Sequence, residues 1–117
     1  MGLFSRRKTP AGPPQPFAFV VENVFSVPMR GVVFTGRVES GQVQQGQDAV
    51  LHLAGDERAV RVKSIDVRRR SAAVAGTGEE AGLYLDGITA RDLPTVPGGD
   101  GSLIDSDAVA GARLVSA

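Results

Sequence analysis

The stretch Gly31-Val32-Val33-Phe34-Thr35-Gly36-Arg37-Val38-Glu39-Ser40 has a period of two. Val32, Phe34, Gly36 and Val38 fall on one face, and Val33, Thr35, Arg37 and Glu39 on the other. Side chains of an extended chain point alternately to opposite sides, so this is a half-buried β-strand. Gly36 breaks the apolar row with no side chain, which predicts close backbone approach or a corner. Upstream, Phe17, Phe19 and Val21 alternate in the same way. The register is interrupted at Glu22-Asn23 and resumes at Phe25 and Val27, the mark of a bulged or bent strand. Pro28-Met29-Arg30-Gly31 turns the chain between the two.

Downstream, Gly46 supplies the positive φ of a tight turn, and a strand runs from Asp48 to Leu53. Ala54-Gly55-Asp56-Glu57 reads as a hairpin loop, and Arg58 to Val67 returns with Val60 and Val62 on one side. Beyond Ser64 the apolar positions become Ile65 and Val67. A face switch in mid-strand is how a small barrel turns a corner. Glu80 to Asp86 carries Ala81, Leu83 and Leu85 inward, and Thr89-Ala90-Arg91-Asp92 has the spacing of a capped helical turn that Pro94 ends. Ser102 to Ile104 reads as the closing strand, and the pattern from Asp105 to Ala117 is too weak to assign. About six short strands with no long helical period imply an all-β Greek-key or closed barrel, which avoids exposed sheet edges. Residues 17–104 are expected to form it, between a basic, Pro-rich tail at 1–16 and a C-terminal tail at 105–117.

The composition agrees with one globular domain. The 117 residues are 42% hydrophobic and 22% charged, with 15 Gly, 7 Pro and few aromatics, a balance suited to short strands around an aliphatic core. No run approaches the ~18 apolar residues of a membrane span. Ser5-Arg6-Arg7 imitates a twin-arginine signal, but a Pro-rich stretch follows it and Glu22 stops the next apolar run, so no signal peptide is read. A soluble, cytoplasmic protein is expected. Thirteen basic residues balance thirteen acidic ones, so contact with a polyanion would need a local patch. Arg6-Arg7-Lys8 in the tail and Arg68-Arg69-Arg70 at a strand end are the two basic runs.

The sequence offers little reaction chemistry. No G-x-x-x-x-G-K-[ST] loop is present, so no nucleotide and no cofactor are expected. There is no Cys, and His52 is the only His, alternating with Leu51 and Leu53 at a solvent-facing position. A metal site or a His-dependent nucleophile lacks its partners. Asp56-Glu57 and Glu79-Glu80 lie at turns, where acids are solvated. A non-catalytic protein is expected.

Glu22-Asn23-Val24-Phe25-Ser26-Val27, followed by Arg30-Gly31-Val32-Val33-Phe34-Thr35-Gly36-Arg37-Val38-Glu39-Ser40-Gly41 and the spaced Val43, Gly46 and Val50, resembles domain two of elongation factor Tu and related translational GTPases. Agreement continues through Ile65-Asp66-Val67, Gly82-Leu83-Tyr84-Leu85-Asp86-Gly87-Ile88 and Gly101-Ser102-Leu103-Ile104. The resemblance implies a six-stranded Greek-key barrel that stands alone here, without a GTPase domain. In the family this barrel packs on the GTPase domain and helps hold the aminoacylated end of tRNA. The positions that would line the corresponding pocket are Glu22, Asn23, Phe25, Val27, Val33, Thr35, Asp66, Arg68, Glu80 and Tyr84, with Arg37 at its rim. Glu80 stands where the family has Asn, Tyr84 where it has Leu, and Asp86 where it has Arg. Phe25, Val33 and Tyr84 are expected to form an exposed apolar patch. The implied function is a binding module docking on a protein or RNA partner; the alternative is an accessory subunit that contacts its partner through the basic tail.

Overall fold

In the computed structural model of the protein, which describes residues 15–53, 55–98 and 101–117, the alternating stretches become strands. In chain order they are β1 (Phe17–Val27), β2 (Gly31–Gln44), β3 (Asp48–Leu53), β4 (Asp56–Val67), β5 (Arg70–Ala72), β6 (Val74–Gly76), β7 (Glu80–Asp86), β8 (Thr95–Gly98), β9 (Gly101–Ile104) and β10 (Arg113–Ser116). A 3₁₀ turn at Ala90–Asp92 and a four-residue helix, α1 (Ser106–Val109), complete the described elements. Strands β1, β2, β7, β4, β3 and β10 pair antiparallel in that cyclic order, so the sheet closes into a six-stranded barrel. Strands β3, β4 and β7 are successive neighbours, and β2, which precedes them in the chain, lies beside β7. That is a Greek key. The expected all-β barrel is the fold of the chain.

Its interior is filled by one residue in two from each strand. Phe19, Phe34, Val38, Leu51, Val62, Ile65, Leu83 and Leu114 are fully buried. Gly36 sits among them for a steric reason: a Cβ there would fall onto the carbonyl oxygen of Val20 on the facing strand. The corner in β4 lies where the face switch predicts it. Val62 pairs with Leu85 and Ser64 with Tyr84, so Lys63 is an extra residue, and Val60, Val62 and Ile65 can all point inward.

The corner in β1 lies at the expected interruption. Val21 pairs with Gly36 and Asn23 with Thr35, which makes Glu22 a bulge. One unpaired residue shifts the alternation by one, so Val24 enters the core and Phe25 turns out, 51% exposed. The closing strand differs from expectation. Ser102 to Ile104 belongs to β9, which pairs only with β8 in a separate two-stranded hairpin, whereas β10 fills the gap between β1 and β3. The barrel therefore extends past residue 104, and 105–117 is not a tail. Four residues with one fully buried side chain, Leu114, are too few for an alternation to register. The part of the basic tail at 1–14 lies outside the described residues; Gln15, just after it, is held to the barrel through its carbonyl oxygen, which accepts from Gln47 Nε2 at 2.7 Å.

The 3₁₀ turn is anchored by Asp92. Its carboxylate accepts from the Thr89 amide at 2.9 Å and the Thr89 hydroxyl at 3.3 Å, and pairs with Arg58 at 3.3 Å. The Thr89 amide does most to hold the Asp92 carboxyl below the ordinary carboxylate range; desolvation opposes it, and Arg58 adds to the lowering. A lowered folded-state value means that the anchor stabilises fully above the unfolded-chain pKa and is lost as pH falls through the folded one. Carboxyl-detected NMR should place the Asp92 midpoint below that of the same residue in a short peptide, and Arg58→Ala should move it up. An unmoved midpoint would show that the ion pair is absent in solution.

Candidate functional site

The register of four adjacent strands builds the floor of a cleft. Val33 faces Tyr84 across β2 and β7, with Phe25 beyond Val33 on β1 and Ser64 beyond Tyr84 on β4. Their sequence neighbours Phe34 and Leu83 point into the core, so this row points outward. Yet Val33 and Tyr84 are only 7% and 5% exposed. Part of their cover is Arg30, from the β1–β2 turn, whose guanidinium lies 4.0 Å from the Tyr84 ring centroid while its Nη1 sits 3.3 Å from Asp66 Oδ2. The β4–β5 turn brings Arg68 and Arg69 to the edge of the same hollow.

The resulting cleft has a volume of about 380 Å³ and collects Glu22, Val33, Thr35, Asp66, Arg68, Glu80 and Tyr84 from the candidates, together with Arg69 and Gly82. The other four candidates lie around it. Arg37 closes one end through its ion pair with Glu80 at 2.9 Å. Asn23 meets the floor through its carbonyl oxygen, 3.4 Å from Thr35 Oγ1. Phe25 stands on the β1 rim, and Val27, half-buried, pairs with Gly31 farther out at the hairpin end. Two other hollows, one beside Asp48 and Asp86 and one beside His52, contain none of the candidates. Among the described residues no three His, Asp or Glu side chains gather as a metal site would require.

Tyr84 is the correction. Expected at the surface as part of an open apolar patch, it is roofed by Arg30, as Val33 is by its neighbours, and only Phe25 of the three stays open. Tyr84→Ala therefore removes about 2–4 kcal/mol of packing and is no clean probe of binding. Two residues that shape the cleft escaped the sequence reading. Arg30 gives no local signal, because its role depends on Tyr84 and Asp66, more than 30 positions away. Gly82 keeps the floor low: a Cβ there would sit 3.1 Å from Val33 Cγ2 and 3.7 Å from Thr35 Cγ2.

The Arg68-Arg69 turn carries strain. Val67 pairs with Arg70, which leaves the two arginines as a two-residue connection with φ of 55° and 67°. Such turns favour Asn-Gly, because a Cβ in the left-handed region costs about 1 kcal/mol or more per residue. Strain of this kind persists at sites where the side chains are needed.

Tyr84 also supplies an optical handle, since the protein has one Tyr and no Trp. Arg30→Ala should uncover the ring and raise acrylamide quenching of its emission about twofold, while stability changes by less than about 1 kcal/mol because the arginine is half-exposed. Unchanged quenching would mean that Arg30 does not cover Tyr84 in solution. No protein-family model matches the chain.

Proposed function

We propose that this chain is a cytoplasmic, non-catalytic binding module of the elongation factor Tu domain-two type, docking a protein or RNA partner in the cleft over Val33 and Tyr84. The observation that carries this reading is convergence. Positions as far apart in sequence as Glu22, Thr35, Arg68 and Tyr84 line one concavity whose size suits a side chain or a terminal group of a larger partner. Its floor is apolar, its rim is charged, and the exposed Phe25 adjoins it, which is the composition of a recognition surface.

The test compares capture from native cell extract by the immobilised protein, by Gly82→Leu, which fills the cleft, and by a variant lacking residues 1–16, each with and without ribonuclease. The docking reading predicts a partner retained by the protein and by the shortened variant and lost by Gly82→Leu. Retention by Gly82→Leu with loss on shortening would overturn it and favour the accessory reading through Arg6, Arg7 and Lys8. The ribonuclease arm separates an RNA partner, lost on treatment, from a protein partner.

A further inference from the structure

The distribution of charge and apolar surface around the cleft is lopsided. On the β1 side, Phe25 is half-exposed and Met29 fully so, and they are the large hydrophobic side chains left open among the described residues. On the β4 side stand Arg68, Arg69 and Arg70, all exposed and none with an ion pair among the described residues. The cleft's carboxylates do not cancel them, because Asp66 is engaged by Arg30 and Glu80 by Arg37. In the cleft, Glu22 alone remains beside the guanidinium groups of Arg68 and Arg69.

We infer that the occupant of the cleft is an acidic peptide segment, an extended chain with carboxylates next to a large apolar side chain; this rests on the docking reading above. Three strand spacings separate Phe25 from Ser64, a width of about 14 Å, which admits one extended chain or one helix. An apolar side chain of the peptide packs on Phe25 and Met29, while its carboxylates meet the forks of Arg68 and Arg69, whose planar donors match a carboxylate two at a time. The left-handed backbone at both arginines fits this role, since the same turn built from Asn-Gly would relieve the strain and lose both cations. A nucleic acid fits the same surface less well. The Tyr84 face that a base would stack on is occupied by Arg30.

The experiment selects a random dodecapeptide phage library on the protein, counter-selects on Gly82→Leu, and titrates the enriched sequence as a synthetic peptide free of Tyr and Trp. Tyr84 emission is the readout, and an oligouridylate is titrated in parallel. Cleft-dependent peptides should carry Asp or Glu beside Phe, Leu or Ile and should change Tyr84 emission on binding. Their affinity should fall at least tenfold in the Arg68→Asn/Arg69→Gly double variant, which should melt at a higher temperature than the parent. Enriched cleft-dependent peptides without acidic residues, or an oligouridylate that binds in a Gly82→Leu-sensitive manner, would overturn the inference while leaving the docking reading standing. Failure to enrich any peptide sensitive to Gly82→Leu would overturn it as well, and the capture experiment above would then decide the docking reading by itself.

Discussion

Phe34→Asp should abolish the cooperative unfolding transition of this protein at 25 °C. Phe34 lies on β2 between Gly36 and Val32, is 1% exposed, and points into a barrel whose fully buried side chains are all apolar. The substitution deletes an aromatic ring, worth about 3–5 kcal/mol in a core, and places a carboxylate where no donor awaits it. The two effects together match or exceed the roughly 5–15 kcal/mol by which domains of this size are stable. Phe34→Leu, which keeps the site apolar, should cost only about 1–2 kcal/mol. Urea titration followed by far-ultraviolet circular dichroism distinguishes the two. A normal transition in Phe34→Asp would show that residue 34 does not face the core.

Gly36→Ala should destabilise by about 3 kcal/mol or more, a large effect for one methyl group. The new Cβ would meet the carbonyl of Val20, a backbone group with no rotamer into which it can retreat. Strands β1 and β2 would have to separate at the point where the β1 bulge brings them together. Gly82→Ala provides the contrast, because its neighbour is a side-chain methyl at 3.1 Å that can give way, and its cost should stay near 1 kcal/mol. A loss of less than about 1 kcal/mol in Gly36→Ala would mean that the barrel has room at this corner.

Much of this architecture was legible because each strand of the barrel buries one face. The alternation marks the strands Phe17–Val27, Asp48–Leu53 and Glu80–Asp86, and the switch from Val62 to Ile65 announces the β4 corner. The β1 bulge was legible as an interruption, but its effect was not, since alternation alone does not say whether Val24 or Phe25 turns inward after one extra residue. Strand β10 was hidden by its brevity, and β8 with β9 by a loop of Pro and Gly in which Ser102 to Ile104 pairs locally rather than with the barrel.

The candidate cleft was legible in its members and not in its shape. Thr35, Glu80 and Tyr84 carry outward parity in their strands, which a sequence discloses. The roof over Tyr84 depends on a turn arginine, and the low floor depends on a glycine whose missing side chain leaves no mark in a hydrophobic pattern. The left-handed Arg68-Arg69 turn was hidden for the opposite reason: nothing in three consecutive arginines announces a conformation that favours Asn and Gly.

The central claim is that the partner docks at the cleft, and site-specific photo-crosslinking in intact cells tests it most directly. A benzophenone amino acid replaces Phe25 on the cleft rim or His52 on β3, the strand across the barrel from β2. Docking at the cleft predicts one dominant adduct from position 25, none from position 52, and loss of the adduct when Gly82→Leu is added. Adducts formed from position 52 alone, or an adduct at position 25 that survives Gly82→Leu undiminished, would contradict the account.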